Sequence, residues 1–198
     1  MTRGFAVRLL AGASLSLGFL SLPAQTVGQP ASGWTTLLDG TTLKGWSTLG
    51  TANWTIVNGA VEANAGAGFL VTPTSYGDFE LTAEIWADEA ANSGIFIRCS
   101  DPKNVTPSSA YEVNIFDKRP DPKYRTGAIV DVAEPAAPIN AAGRWNTLEI
   151  LAQGPHLVVT LNGTKTVDVE HTGHISGPIA LQYMAGVVRF RSVRIRTP

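Results

Sequence analysis

At 198 residues the chain is long enough for one domain with a leader, and its 44% hydrophobic content can fill a core. A formal charge of −1 gives no electrostatic case for a nucleic-acid partner, and the arginines near the C-terminus alternate with apolar residues instead of forming a basic block. Cys99 is the single cysteine, so no intrachain disulfide can form, and its place at the end of an apolar strand predicts a buried structural thiol.

Residues 1–24 read as a signal peptide. Arg3 and Arg8 precede the apolar stretch Leu9–Leu22, and Leu22-Pro23-Ala24 resembles a cleavage site with no cysteine after it. The stretch is short for a membrane span, and a retained N-terminal anchor is the alternative. The expectation is export of a mature chain from about Gln25 to a periplasmic or extracellular space, with no membrane segment after cleavage. Residues 25–33, polar with Pro and Gly, read as a linker. Residues 34–197 then form the domain.

Within that domain short strands alternate with turns. Trp54–Val57, Asn58-Gly59 and Ala60–Ala63 predict a hairpin, because Asn-Gly supplies the positive φ angles of a type I′ turn. Leu157–Leu161, Asn162-Gly163 and Lys165–Val169 predict another. Asp78–Asp88 alternates with a period of two, Phe79, Leu81, Ala83 and Ile85 against Glu80, Thr82, Glu84 and Trp86. Trp145–Leu151, Ile179–Tyr183 and Val187–Arg196 are further strands. Residues 100–110, 118–125 and 133–143 read as loops of the length that lines sites in compact sheet proteins. About a dozen strands without a sustained helical period predict an all-β, two-sheet antiparallel jelly-roll sandwich.

Two runs carry the most chemistry. In Asn92–Arg98, Ile95 and Ile97 share one face and Arg98 falls on the other. In Tyr111–Asp117, Val113 and Ile115 share a face, leaving Glu112 and Asn114 opposite. Together they put a cation, a carboxylate and an amide away from the core. That is a floor for a polar ligand, and the same parity also describes a solvated face with an Arg–Glu pair.

Other chemistries find little support. Glu84, Asp88 and Glu89 miss the E-x-D-x-x-E spacing of a local glycosidase carboxylate pair. His171 and His174 sit in a Gly-containing turn with no third metal ligand nearby, and His156 stands alone. There is no nucleophile elbow and no phosphate loop. Among the five tryptophans, Trp46 and Trp86 are candidates for stacking on a sugar ring, or for half-buried packing.

The order of motifs carries a resemblance. Leu37-Leu-Asp-Gly-Thr-Thr-Leu-Lys-Gly-Trp46 is similar to L-F-D-G-x-x-L-x-G-W, Trp54–Gly59 to W-x-V-x-D-G, and Tyr76–Leu81 to Y-x-D-F-E-L. Asn92–Arg98 and Tyr111–Asp117 resemble N-S-G-I-F-x-R and Y-E-V-Q-I-x-D, and Thr126–Ile129, Arg144–Asn146, Leu161–Gly163 and Val188–Ile195 continue the series to the C-terminus. This set resembles the 3-keto-disaccharide hydrolase family, also described as 3-keto-glucoside 1,2-lyase and 3-keto-2-hydroxy-glucal hydratase domains, on a concanavalin A-like jelly roll. The resemblance implies a glycoside or oligosaccharide substrate oxidised at C3. It implies Glu112 as general base, Arg98 as oxyanion partner, and Asn114, Asp117, Gln182 and Trp46 as sugar-binding residues. No cofactor is implied, and a divalent metal is left open. Two departures stand out. Asn114 replaces the family's glutamine, and Leu181-Gln-Tyr-Met-Ala-Gly186 lacks the acid and imidazole of L-Q-D-H-G. A non-catalytic carbohydrate-binding domain on the same sandwich is therefore the alternative expectation.

Overall fold

The computed structural model describes residues 1–2 and 33–198; the predicted signal peptide, its cleavage site and nearly all of the linker lie outside the described residues. The strands in chain order are β1 Thr35–Leu38, β2 Ser47–Gly50, β3 Thr55–Val57, β4 Ala60–Ala63, β5 Gly68–Val71, β6 Phe79–Ala87, β7 Asn92–Ile97, β8 Tyr111–Ile115, β9 Trp145–Gln153, β10 His156–Leu161, β11 Thr164–Glu170, β12 Ala180–Ala185 and β13 Val188–Arg196. A 3₁₀ turn, Pro122–Tyr124, is the only helical element among the described residues. No helix among those residues is long and apolar enough to cross a membrane.

The strands form two antiparallel sheets. One has eight strands in the order β11-β10-β9-β6-β13-β4-β3, with β1 paired to the end of β13; the other has five in the order β2-β5-β12-β7-β8. This is the all-β jelly-roll sandwich that the alternation predicts. Both expected Asn-Gly hairpins form, β3–β4 and β10–β11, with φ of 50° and 74° at Asn58 and Gly59 and of 51° and 78° at Asn162 and Gly163. Strand β6 alternates buried and half-buried residues along its whole length. Leu81, Ile85, Leu148, Phe190 and Val193 meet Leu70, Ile95, Val113 and Leu181 of the smaller sheet in one continuous core. Trp54 packs into it against Tyr183 and Phe190.

Strands β7 and β8 depart from simple alternation, since nearly every residue in them is buried. Their second face is covered. Residues Cys99, Val105 and Ala110 close a small apolar cluster over Val71, Phe96 and Ala180. The free edge of β8 is paired by an irregular segment: Ala128 accepts from the Asn114 N–H at 3.0 Å, and the Gly127 and Val130 N–H groups donate to Asn114 and Glu112 at 3.0 Å. That pairing removes an exposed edge and walls the strand that carries Glu112. Cys99 is buried as expected, and burial pushes its thiol up to about 12, which makes it a poor nucleophile.

The position of Arg98 corrects an expectation. Strand β7 ends at Ile97, and Arg98 takes a left-handed backbone with φ of 54°, which breaks the period-two parity that places its side chain beside Glu112. Its guanidinium, 1% exposed, donates to the carbonyls of Gly77 (2.9 Å), Gly154 (2.7 Å) and His174 (3.2 Å) and to Asp78 Oδ1 (3.2 Å). Asp78 opens β6 and Gly154 is the β9–β10 turn. Arg98 therefore braces the end of one sheet against the end of the other. A buried cation with this set of acceptors is costly to interrupt. Arg98→Leu is expected to lower the unfolding free energy by about 3–5 kcal/mol, read as a fall in the urea midpoint. An unchanged midpoint contradicts the bracing role.

Candidate functional site

The outward face of the five-stranded sheet is set by its register. Phe69, Gln182, Gly94 and Asn114 stand side by side across β5, β12, β7 and β8, and the neighbouring row is Val71, Ala180, Phe96 and Glu112. Directly paired residues share a face, so Glu112, Asn114 and Gln182 converge around Gly94. A side chain at Gly94 has no room. A Cβ there lies 3.1 Å from the Val113 carbonyl oxygen, 3.3 Å from Glu112 Cγ and 3.4 Å from its Oε1. The space left by the glycine is occupied by the Glu112 side chain itself, which leans over β7 between the two amides.

All three polar groups are short of partners. Glu112 is 4% exposed, and no hydrogen-bond donor contributes to its titration. Burial beside Phe96 and neighbouring apolar residues pushes its carboxyl up from 4.5 to about 7; Arg119 opposes that rise and Asp131 adds to it. Asn114 donates its Nδ2 hydrogen to the Tyr124 carbonyl, which leaves Oδ1 buried and unpartnered. The Oε1 of Gln182 is likewise buried without a donor. Buried acceptors without donors are rare in folded proteins, and two of them here flank one glycine. A donor from outside reaches either oxygen only by displacing the residues that cover it, since both are shut from solvent.

The remaining sequence candidates are engaged elsewhere. Both carboxylate oxygens of Asp117 hold the chain around it: they accept from Thr126 Oγ1 and from the N–H groups of Ala141 (3.1 Å) and Ala142 (2.9 Å). Asp117 thus fastens the 133–143 loop, and its charge is spent on backbone donors instead of sugar hydroxyls. The indole N–H of Trp46 donates to the Leu37 carbonyl at 2.7 Å and its ring packs on the main core, so it buttresses the first loop instead of offering a free face. Arg98 stands at the sandwich end, as described above. Trp86 lies on the outer face of the larger sheet, where Arg189 stacks on it at 4.4 Å.

The variant end motif falls at an irregularity in the β12–β7 pairing, between Tyr183 and Ala185. Met184, two residues beyond Gln182 on β12, is 44% exposed, and so a thioether stands where the family motif has an imidazole. Tyr183 points the other way into the core and donates to the Gly186 carbonyl at 2.9 Å. Among the described residues no three His, Cys, Asp or Glu side chains are grouped as a metal site requires. The His171–His174 turn is more than a solvated bend. The Tyr111 hydroxyl lies 3.0 Å from His171 Nδ1 and accepts from the His174 N–H at 3.0 Å, pinning the turn to β8. No spacing signal in the sequence links those residues.

The fold is a jelly roll of the lectin and glucanase type, and one face of its smaller sheet carries an unpaired carboxyl and two orphaned amide oxygens. Residues 33–196 match the family described as 3-keto-alpha-glucoside-1,2-lyase-like domain, and the chain belongs to that family. A 3-keto-disaccharide hydrolase of Bacteroides thetaiotaomicron is 28% identical over 154 residues, covering 61% of this chain and 53% of its own. The chain thus spans about half the length of that relative. A provisionally named glycosyl hydrolase from Parabacteroides distasonis shares the fold at a TM-score of 0.70 and 23% identity, over 83% of this chain and 99% of that one. The carbohydrate-binding module CBM66 from Bacillus subtilis shares it at a TM-score of 0.62 and 19% identity, over 77% and 96%.

A carboxyl raised by burial has a stability consequence. The folded state holds the Glu112 proton more tightly than the unfolded chain, so its contribution is fully present below 4.5 and is lost as pH rises to about 7. Glu112→Gln is expected to leave stability nearly unchanged at pH 4. At pH 8 it should raise the unfolding free energy by on the order of 2–3 kcal/mol, measured by urea unfolding at both pH values. Equal effects at the two pH values contradict the burial argument.

Proposed function

We propose that this domain cleaves glycosides already oxidised at C3, with Glu112 as the base. A ketone at C3 acidifies the C2 hydrogen, so one carboxylate of suitable basicity can remove it. The C2–H electron pair becomes the enolate, the C1–O bond breaks, and the leaving oxygen takes a proton. Water can then add across the new C1–C2 double bond, giving net hydrolysis. Asn114 and Gln182 accept hydrogen bonds from substrate hydroxyls and hold C2 over Glu112.

One observation carries this reading: a buried carboxyl raised to about 7 lies over a glycine and between two orphaned acceptors. Membership of the family supports it, and the Bacteroides relative is named for hydrolysis of 3-keto-disaccharides. The proposal extends to export, supported by the apolar leader between Arg3 and Ala24. The replacement of the motif imidazole by Met184 favours the second reading, a sugar-binding domain without turnover.

The test is turnover of 3-keto-glucosides of both anomers by the purified chain, with and without added divalent metal, against the unoxidised sugars. Release of the aglycone only from oxidised substrates is expected. Because the base acts ionised, kcat/KM should climb tenfold per pH unit below about 7 and level off above it. Glu112→Gln should lower kcat by at least about 10³-fold. Saturable binding of the sugar without turnover establishes the second reading in its place.

A further inference from the structure

With Arg98 committed to the sandwich ends, the site face needs another source of positive charge for an enolate. We infer that Arg119 is that cation: a guanidinium held beside the site by two aromatic rings, unpaired in the protein and available to the developing C3 oxyanion. The inference rests on the eliminative reading above.

The placement follows from stacking and from what holds the rings. Phe116 follows the end of β8 at Ile115, and its N–H donates to Thr126 Oγ1 at 2.9 Å. The Arg119 guanidinium lies over the Phe116 ring, 6.0 Å from its centroid, and over the Tyr124 ring at 5.4 Å. Tyr124 is itself fixed beside the site, since its carbonyl takes the Asn114 Nδ2 hydrogen and its hydroxyl donates to Asp131 Oδ1 at 2.7 Å. The backbone of Arg119 is tied down as well. Its N–H donates to the Phe116 carbonyl at 3.3 Å, and its own carbonyl accepts from Arg125 Nε at 3.0 Å.

The guanidinium therefore has a fixed support and unused donors. Among the described residues its nitrogens make neither a hydrogen bond nor an ion pair, in contrast to Arg98, Arg189, Arg191 and Arg196, each of which holds a carboxylate. Lys118 is drawn to Glu89 and Lys123 to Asp121, which leaves Arg119 as the unpaired cation of this loop whose field reaches Glu112. A planar cation with free N–H groups matches an enolate oxygen. Its support by rings instead of carboxylates leaves its charge unneutralised. The same field holds the Glu112 carboxyl lower than burial alone places it.

The test compares the full chain with Arg119→Met and Arg119→Lys in two readouts. The first is the Glu112 titration midpoint, followed by carbon NMR of labelled glutamate with Glu112→Gln as the assignment control. The second is kcat and KM on a 3-keto-glucoside. The expected result for Arg119→Met is a midpoint above that of the parent chain and a kcat at least about tenfold lower, with KM changed less than about threefold. Arg119→Lys should restore the midpoint and part of kcat. An unmoved midpoint, or a moved midpoint with unchanged kcat, overturns the assignment of Arg119 while leaving Glu112 as base. A parent chain with no turnover on any 3-keto-glycoside overturns the eliminative reading and with it the oxyanion role.

Discussion

Glu112 keeps an ionisable group where burial makes its charge costly, and the elements around it leave that cost unrelieved. Most buried carboxylates are held by donors that keep them ionised. Here the nearest backbone donors are taken by sheet pairing, the residue facing it on β7 is Phe96, and the carboxylate leans over Gly94, which faces Asn114. The result is a carboxyl poised at about 7, able to exchange a proton at neutral pH. The orphaned oxygens of Asn114 and Gln182 add a further cost that the fold tolerates. Costs of this kind, concentrated at one glycine, are what the proposed site has to repay on binding.

The rest of the sandwich supplies the rigidity this arrangement needs. Arg98 ties the open ends of the two sheets together. Asp117 fastens the 133–143 loop, and residues 127–130 close the edge of β8. These contacts fix the backbone on which Glu112 and Asn114 stand, so polar residues that look catalytic by type act by positioning. Trp46 belongs to the same group, holding the first loop through its indole N–H.

Much of the architecture was legible in the chain. Period-two alternation in β6 and the two Asn-Gly turns follow from local chemistry, and the structure realises both. The outward face of Glu112 and Asn114 follows from the same parity. Burial of that face does not, because it depends on the 100–110 loop and residues 127–130 folding back over it, which no local pattern encodes. Arg98 departs from its expected face for a related reason: its left-handed backbone after Ile97 breaks the parity that strand periodicity extends to it. Asp117 and Trp46 carry the right functional groups, yet backbone partners distant in sequence consume them. Gly94 was hidden because an absent side chain gives no signal until its neighbours are known. Arg119 lies in the charged, proline-containing 118–125 loop, whose length suits the lining of a site but whose pattern gives this residue no role.

The account stands on removal of the C2 proton by Glu112, and the most direct measurement follows that hydrogen. A 3-keto-glucoside is incubated with the chain in D₂O, and C2 of the sugar product is read by proton NMR against an enzyme-free control. The account predicts loss of the original C2 hydrogen in step with aglycone release, leaving either an unsaturated sugar or solvent deuterium at C2 after hydration. Aglycone release with the original hydrogen retained at C2 would mean direct hydrolysis, and contradicts it.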